Sequence, residues 1–292
     1  MNKNLINMIH QKLSILIILY EENFEMINKC LEKIKDFKII IIDNANNKSL
    51  KDKIIKKFNI HKYFLNKKNI GFSKAANQGI RACDTEYLLF LGADCQITYS
   101  SIEQLMLVKE KYKDCFLTSP TFFDHTGKPT YNGGPLHENS PKNKVIKNSG
   151  DVCVEAVLTT VILFKVEDII NIGLLDEKFF LYFLDDDLCR RIKNIKKSVI
   201  QVYSARATHD HGNLKVKNRF KKILFANYYF YFEELYYLYK INSHQQKYNS
   251  LKKKIPKFLV KLIINFILLR FDKFVYYFAK TLAFYNFKKL IK

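Results

Sequence analysis

The sequence predicts an α/β protein, a mostly parallel sheet with helices on both faces, followed by a helical extension of different character. Three observations predict it. Short apolar runs alternate with helix-like segments over the first 120 residues, two of those runs lead into an aspartate (Asp43 and Asp94), and the composition changes abruptly after Gly212. A chain of 292 residues with 48% apolar and 26% charged residues has material for one large core or two smaller ones, which excludes a disordered chain and a polytopic membrane protein.

Leu13 to Leu19 is an apolar run with one serine, Ser14, read as a buried strand. Asn23 to Lys35 follows, with Phe24, Ile27, Leu31 and Ile34 at helical spacing. Ile39 to Ile42 is a β-branched strand ending at Asp43, Leu50 to Phe58 is helical, and His61 to Leu65 is extended. Ser73 to Ala82 is again helical, and Tyr87 to Leu91 is a buried strand that ends at Gly92 and Asp94. Ligands of open sheets bind beyond the carboxyl ends of the strands, which singles out Asp43 and Asp94 among 28 acidic residues. Residues 121–150 hold Gly127, Pro129, Gly133, Gly134, Pro135 and Pro141 with little periodicity, the pattern of a long binding loop or lid. A β-rich run from Val152 to Phe164 and an apolar-periodic segment through Ile170 lead into Gly173 to Arg191.

Six cysteines are scattered without a CxxC pair, which suits a reducing compartment. The polar Met1 to Gln11, and the Tyr20 and two glutamates after Leu19, do not read as a secretion leader, so a cytoplasmic location is expected. Residues 213–292 hold 18 Lys/Arg against 3 Asp/Glu and 21 of the 42 Phe and Tyr, whereas residues 1–212 hold 31 against 25. Most of the net charge of +21 therefore sits in the tail, and domains of 1–212 and 213–292 are expected. Its uncharged stretches, Ile223 to Phe232 and Leu262 to Leu269, fall short of the roughly 20 residues that cross a bilayer. Lysines interleaved with Tyr, Phe and Leu suit helices lying in a membrane interface, on the anionic inner face of the plasma membrane. The bland alternative is a helical cap with a solvated lysine face. Nucleic-acid binding ranks lower, because no recognised motif is present and the acidic cluster repels phosphates; no nucleic-acid partner is expected.

Three segments carry chemistry. Asn69-Ile-Gly-Phe-Ser-Lys-Ala-Ala-Asn-Gln-Gly79 is a glycine-containing turn entering a helix, where Asn69 and Asn77 can bond a ligand or the loop itself. At Leu89-Phe-Leu-Gly-Ala-Asp94 a carboxylate emerges from an apolar strand, either an ordinary turn residue or a ligand for Mg²⁺ or Mn²⁺. In Gly173 to Arg191 the aspartates Asp185, Asp186 and Asp187 precede a helix marked by Leu188, Ile192 and Ile195. Capping takes one or two carboxylates, and Asp187 can pair with Arg190 or Arg191 one turn on. A third carboxylate beside Phe179, Phe180, Tyr182 and Phe183 points to a general base in a cleft.

In this order the segments resemble the family-2 inverting glycosyltransferases, especially their bacterial rhamnosyltransferase-like branch, over about residues 12–212. The matching pieces are a strand followed by Tyr20, the Asp43-Asn44 strand end, N-x-G-F-x-x-A-x-N-x-G at 69–79, the aspartate at 94, G-x-x-D-E-x-F-F-x-Y with its acidic cluster at 173–187, and Arg206 to Gly212, similar to an A-x-x-H-x-x-G ending. The resemblance implies a GT-A fold, a UDP- or dTDP-sugar donor, a divalent metal (Mn²⁺ or Mg²⁺), and a lipid-linked or growing surface glycan as acceptor. By position it implies that Tyr20, Asp43, Asn69, Gly71, Phe72, Asn77 and Asp94 line the donor site and that Asp94 and His209 bind the metal. Asp185 becomes the base, with Asp186 and Asp187 as substitutes, and Phe180 and Tyr182 lie on the acceptor side. The chain departs from the family where Asn-Pro-Asp or Asp-x-Asp is replaced by Gly92-Ala93-Asp94, where the first acid of a Glu-Asp pair is Leu184, and where Gly-Ala is Thr159-Thr160. These departures motivate the alternative of a noncatalytic glycan- or membrane-binding protein on the same fold.

Overall fold

Leu13–Leu19 forms the strand β1, and a run with no polar alternation needs cover on both faces. The computed structural model describes residues 9–139, 149–209 and 218–291. In it β1 is followed by α1 (Phe24–Glu32), β2 (Lys38–Asp43), α2 (Lys48–Lys57), β3 (Lys62–Leu65), α3 (Phe72–Ala82) and β4 (Tyr87–Leu91). Asn23 and Asn47 start α1 and α2 by accepting the N–H of Met26 and Leu50. Helical crossovers bring successive strands in parallel, so β1 lies between β2 and β4, with β3 outside β2. The odd residues of β1 enter a core with Ile39, Ile41 and Leu89. On the other face α3 comes so close that a Cβ on Gly79 would stand 2.4 Å from Leu16 Cδ1.

The chain continues through β5 (Cys95–Ile97), α4 (Tyr99–Lys111), β6 (Cys115–Phe123), β7 (Gly133–Gly134), β8 (Val152–Val154), β9 (Ala156–Val157), β10 (Val161–Lys165), α5 (Val166–Asn171), α6 (Leu184–Asn194) and β11 (Ser198–His209). The sheet is mixed, in the order β3-β2-β1-β4-β10-β6-β11-β5 with β8 paired to β11; β10 is antiparallel to both neighbours and β11 parallel to β6. The run 152–164, read as one β-rich stretch, is three separate strands. Of the expected loop 121–150, the described part is folded back: β6 runs to Phe123, a turn closes from Asp124 to Lys128, and β7 pairs with β9. Residues 140–148 lie outside the described residues.

One consequence of this topology places the site. In a flat sheet β5 would lie four strand positions, about 19 Å, from β4. The chain from Leu91 to Cys95 reaches only about 14 Å. The sheet therefore curls over its carboxyl edge, helped by the register shift between Val202 and Arg206 that bends β11.

Contacts divide the chain into two compact units, Met1–Lys178 with Leu184–Gly212, and Phe179–Phe183 with Asn213–Lys292. The division gives the second unit five residues that the composition break left in the first. That unit contains α7 (Arg219–Lys240), α8 (His244–Ile267, with Pro256 inside it) and α9 (Phe271–Leu290). Its core is Leu235, Leu251 and Phe287, surrounded by Tyr231, Phe232, Tyr248 and Phe284. Fully buried Glu233 on α7 accepts the backbone N–H groups of Phe180 (2.6 Å), Leu181 (3.2 Å) and Tyr182 (2.6 Å). Burial pushes this carboxyl up to about 7 against the three hydrogen bonds, which favour its charged form.

Candidate active site

The turn Gly92-Ala93-Asp94 joins β4 to β5, and β5 pairs antiparallel with the end of β11, setting Cys95 opposite His209. That register puts Asp94 Oδ2 3.6 Å from His209 Nε2. About a quarter (24%) of the Asp94 side chain is exposed, while His209 is nearly enclosed, its ring edge-on to Phe122 at 5.3 Å. One ligand atom from each of Asp94, Cys95 and His209 lies within 4.8 Å of the others. A carboxylate with an imidazole at the end of strands suits Mn²⁺ in donor chemistry, and the thiol beside them is a softer donor.

The acidic helix start is tied to the same edge through two threonines. Gly92 donates its N–H to the Thr160 carbonyl (2.8 Å), and Thr159 donates its N–H to Asp185 Oδ1 (2.7 Å). Asp185 is half-buried, and burial raises its pKa against the hydrogen bonds from Thr159. Asp186 Oδ1 accepts the His137 N–H (2.8 Å), and burial pushes it up to about 6, with the charge of Asp185 adding to the rise. Asp187 differs from both: it is buried and bound to Arg191 Nε at 2.9 Å, an i,i+4 pair inside α6, while Arg191 also holds the Ile172 carbonyl. It braces the helix.

The departures at 92 and 160 have one physical cause. A Cβ on Gly92 would stand 2.8 Å from Thr160 Cγ2 and 3.0 Å from Asp94 Oδ1, so the threonine methyl fills the space that an acid at 92 needs. The first acid of the family pair is here a buried leucine, Leu184.

The donor-side residues largely hold one another. Asp43 is fully buried, accepting the Ala45 N–H (2.7 Å) and the Tyr63 hydroxyl (3.0 Å). Asn44 donates to the Gly71 carbonyl (3.2 Å) and accepts from Asn66, which also donates to Gln78. Asn69 accepts the Gly71 N–H (2.9 Å) in a turn whose Gly71 has φ 89°, a conformation that favours glycine. Asn77 is buried and makes three bonds, donating to the Leu175 carbonyl and Glu177 Oε1 and accepting the Leu175 N–H. It fastens α3 to the start of the 173–187 segment. Phe72 packs edge-on to Phe90 at 6.5 Å, and the Tyr20 N–H bonds the Glu22 carboxylate.

Phe180 and Tyr182 belong to the second unit, where Phe180 stacks on Tyr229 at 4.2 Å and Tyr182 meets Phe230 edge-on at 5.5 Å. Asp210 to Gly212, the end of the last matching segment, lie outside the described residues. Sequence reasoning missed Cys95, whose place beside His209 depends on a pairing of distant strands, and His137, whose N–H holds Asp186. It also missed Tyr131, a phenol pushed up to about 12 by burial and then by the charges of Asp186 and Asp185. Glu138 pairs with Arg190, and Glu155 Oε2 accepts the Leu136 N–H (3.1 Å), so the described end of the long loop is pinned to α6 and β9 from both sides.

Comparison with known proteins agrees with this architecture. Over 210 residues the chain is 24% identical to the dTDP-rhamnosyl transferase RfbF of Shigella flexneri, covering 69% of this chain and 70% of the relative. Among solved structures it is similar to GalNAc-T7 with UDP, GalNAc and Mn²⁺ (TM-score 0.57, 14% identity, 77% of this chain) and to the mannosyltransferase PcManGT of Pyrobaculum calidifontis with GDP-Man and Mn²⁺ (TM-score 0.53, 10% identity, 76% of this chain). The match spans about half (51%) of the first of these structures and 63% of the second. These likenesses show the GT-A type of fold, a mixed sheet flanked by helices. The profile of glycosyl transferase family 2 matches residues 14–160, half of the sequence, and the chain belongs to that family.

Proposed function

We propose that the chain is an inverting glycosyltransferase that moves a sugar, with rhamnose as the leading choice, from a dTDP- or UDP-sugar to a hydroxyl of a lipid-linked or growing surface glycan. The observation that carries the reading is the Asp94–His209 pair at the curled carboxyl edge, linked through Thr160 and Thr159 to Asp185. The rhamnosyl transferase relative and the nucleotide- and Mn²⁺-bound neighbours support a nucleotide-sugar donor and a divalent metal. Asp94 and His209 are the residues that would hold Mn²⁺ or Mg²⁺, with Cys95 beside them. Such an ion supplies charge neutralisation to a departing diphosphate.

The protein groups do the rest. An acceptor hydroxyl is a poor nucleophile until a carboxylate takes its proton, a contribution of typically 10²–10⁴-fold. Asp185 is fixed by Thr159, so it needs no reorganisation to accept that proton, and its raised pKa makes it a stronger base than an exposed aspartate. Attack from the face opposite the leaving diphosphate inverts the anomeric centre in one step. Asp186, pushed up to about 6, loses its proton just below neutral pH, so transfer rises as pH passes upward through this range if it takes the proton instead.

A thermal-shift screen of UDP-, dTDP- and GDP-sugars with and without Mn²⁺ tests donor binding, because a ligand of the folded state raises its melting temperature. The expected result is a shift with dTDP- or UDP-sugar that is larger with Mn²⁺ and abolished by chelator. Anomer-resolved product analysis then checks inversion. No shift with any donor points to the noncatalytic alternative.

A further inference from the structure

We propose that the tip of the hairpin formed by α8 and α9 inserts into an anionic lipid leaflet, without crossing it. This rests on the helical unit alone and is independent of the donor chemistry.

The second half of α8 reverses the usual pattern of burial. Ile263, Phe266, Ile267 and Leu269 are 63%, 59%, 70% and 70% exposed, and Leu268 and Phe271 continue the patch around the turn. Exposed apolar side chains clustered this way and rimmed by charge mark a protein or membrane interaction site. Among the described residues no helix is long and apolar enough to cross a membrane. The apolar stretch Phe258 to Leu269 is 12 residues, about 18 Å of helix, against the roughly 20 residues of a span. Its length fits insertion to headgroup and upper acyl depth.

Charge surrounds the patch with one sign. Between Lys252 and Lys273 stand seven basic residues and one acid, Asp272, which is already paired with Arg219. Lys252, Lys253, Lys254 and Lys257 are exposed on one side of the tip and Arg270 and Lys273 on the other. Lys261, the one charge within the apolar stretch, turns back to the Tyr277 hydroxyl at 2.9 Å and over its ring. This complementarity selects anionic lipid over a second copy of the chain, whose identical cationic rim would repel it.

The backbone of the turn is closed by internal hydrogen bonds. The N–H groups of Leu268, Leu269 and Arg270 return to the carbonyls of Ile264, Phe266 and Asn265, and the Asn265 amide donates to the Lys261 carbonyl. The same pattern closes α6 at Ile195, Lys196 and Lys197 and α7 at Ile241, Asn242 and Ser243, so what sets this turn apart is the apolar character of its exposed side chains. Leu269 adopts φ 53°, the left-handed position usually given to glycine, so the turn carries an apolar side chain at a conformational cost.

The test is vesicle partitioning of the full chain. The sequence contains no tryptophan, so Leu268→Trp supplies a single reporter at the tip. Expected are cosedimentation with phosphatidylcholine vesicles doped with phosphatidylglycerol, weaker binding to pure phosphatidylcholine, a blue shift of the tryptophan, and quenching by acyl-chain bromines. Each surface lysine reversed to glutamate should lower partitioning by about fivefold or more. The pair Ile267→Glu and Leu269→Glu should lower it more than tenfold with the helical signal unchanged, since both side chains are exposed. Three results overturn the proposal: no binding to anionic vesicles, vesicle binding with the tryptophan still open to iodide in water, or a blue shift that follows protein concentration without lipid, which would assign the tip to a second copy. If the glutamate pair fails to fold, the tryptophan protein decides the question alone.

Discussion

Along the carboxyl edge of the sheet, similar polar residues are put to two uses. On the β1–β3 side, Asp43, Asn44, Asn66, Asn69 and Asn77 bind loop backbone, Tyr63, Gln78, Glu177 and one another, and Asp43 and Asn77 are closed to solvent. On the β4–β10–β11 side, Asp94 stays partly open next to His209, and Asp185 and Asp186 are anchored by backbone N–H groups in surroundings that raise their pKa. On the proposed function, motif residues on the first side build the platform and those on the second carry the chemistry. An asparagine held by three internal hydrogen bonds has little left to offer a ligand, whereas a carboxylate fixed through one backbone contact is positioned to act.

The largest effect expected from this contrast is on turnover. Asp94→Asn and Asp185→Asn should each lower donor turnover by about 10²–10⁴-fold while urea midpoints stay close to wild type. A turnover assay beside an unfolding curve checks both. If Asp185→Asn retains full rate and Asp186→Asn does not, the base is Asp186, and the acid limb of the pH–rate profile should lie near 6. Asn77→Ala should show the converse: about 2–3 kcal/mol of stability lost through the unpaired Leu175 backbone groups, read from the urea midpoint, with the folded fraction losing far less rate than Asp94→Asn.

A third prediction concerns Glu233. Its folded-state pKa lies above the ordinary 4.5, at about 7, so between these values the folded chain holds a proton that the unfolded chain has lost. Stability should therefore fall as pH rises through this window, and Glu233→Gln should remove that slope, as denaturation at a series of pH values would reveal. The smallest effect is expected at Gly92. Gly92→Ala should cost about 1–3 kcal/mol by overpacking against Thr160, and Thr160→Ser in the same chain should recover part of it, a coupling that a double-mutant cycle measures.

The parts of the fold legible in the sequence were those specified locally. Leu13–Leu19, Tyr87–Leu91 and the apolar core of β2 announce themselves because strands buried on both faces need near-continuous apolar runs. The insertion of β10 between β4 and β6 left no local mark, since antiparallel pairing there is decided by partners far away in sequence. The site divided in the same way. Asp94 was readable from its strand end, but the nearness of His209 and Cys95 comes from the β5–β11 register, and the linkage of Asp185 to Thr159 from the start of β10. Asn77 matched a motif, yet its bonds to Leu175 and Glu177 lie a hundred residues away and could not be foreseen from spacing. Glu233 was hidden in a tail whose composition advertised only lysines and aromatic rings.

The fit of Thr160 against Gly92 also bears on redesign of the edge. Positions 92 and 160 are coupled, because a side chain at 92 and the threonine methyl at 160 compete for the same volume. An acid introduced at 92 meets that methyl group, and shrinking position 160 at the same time should lower its cost. The two positions are therefore better redesigned as a pair than singly.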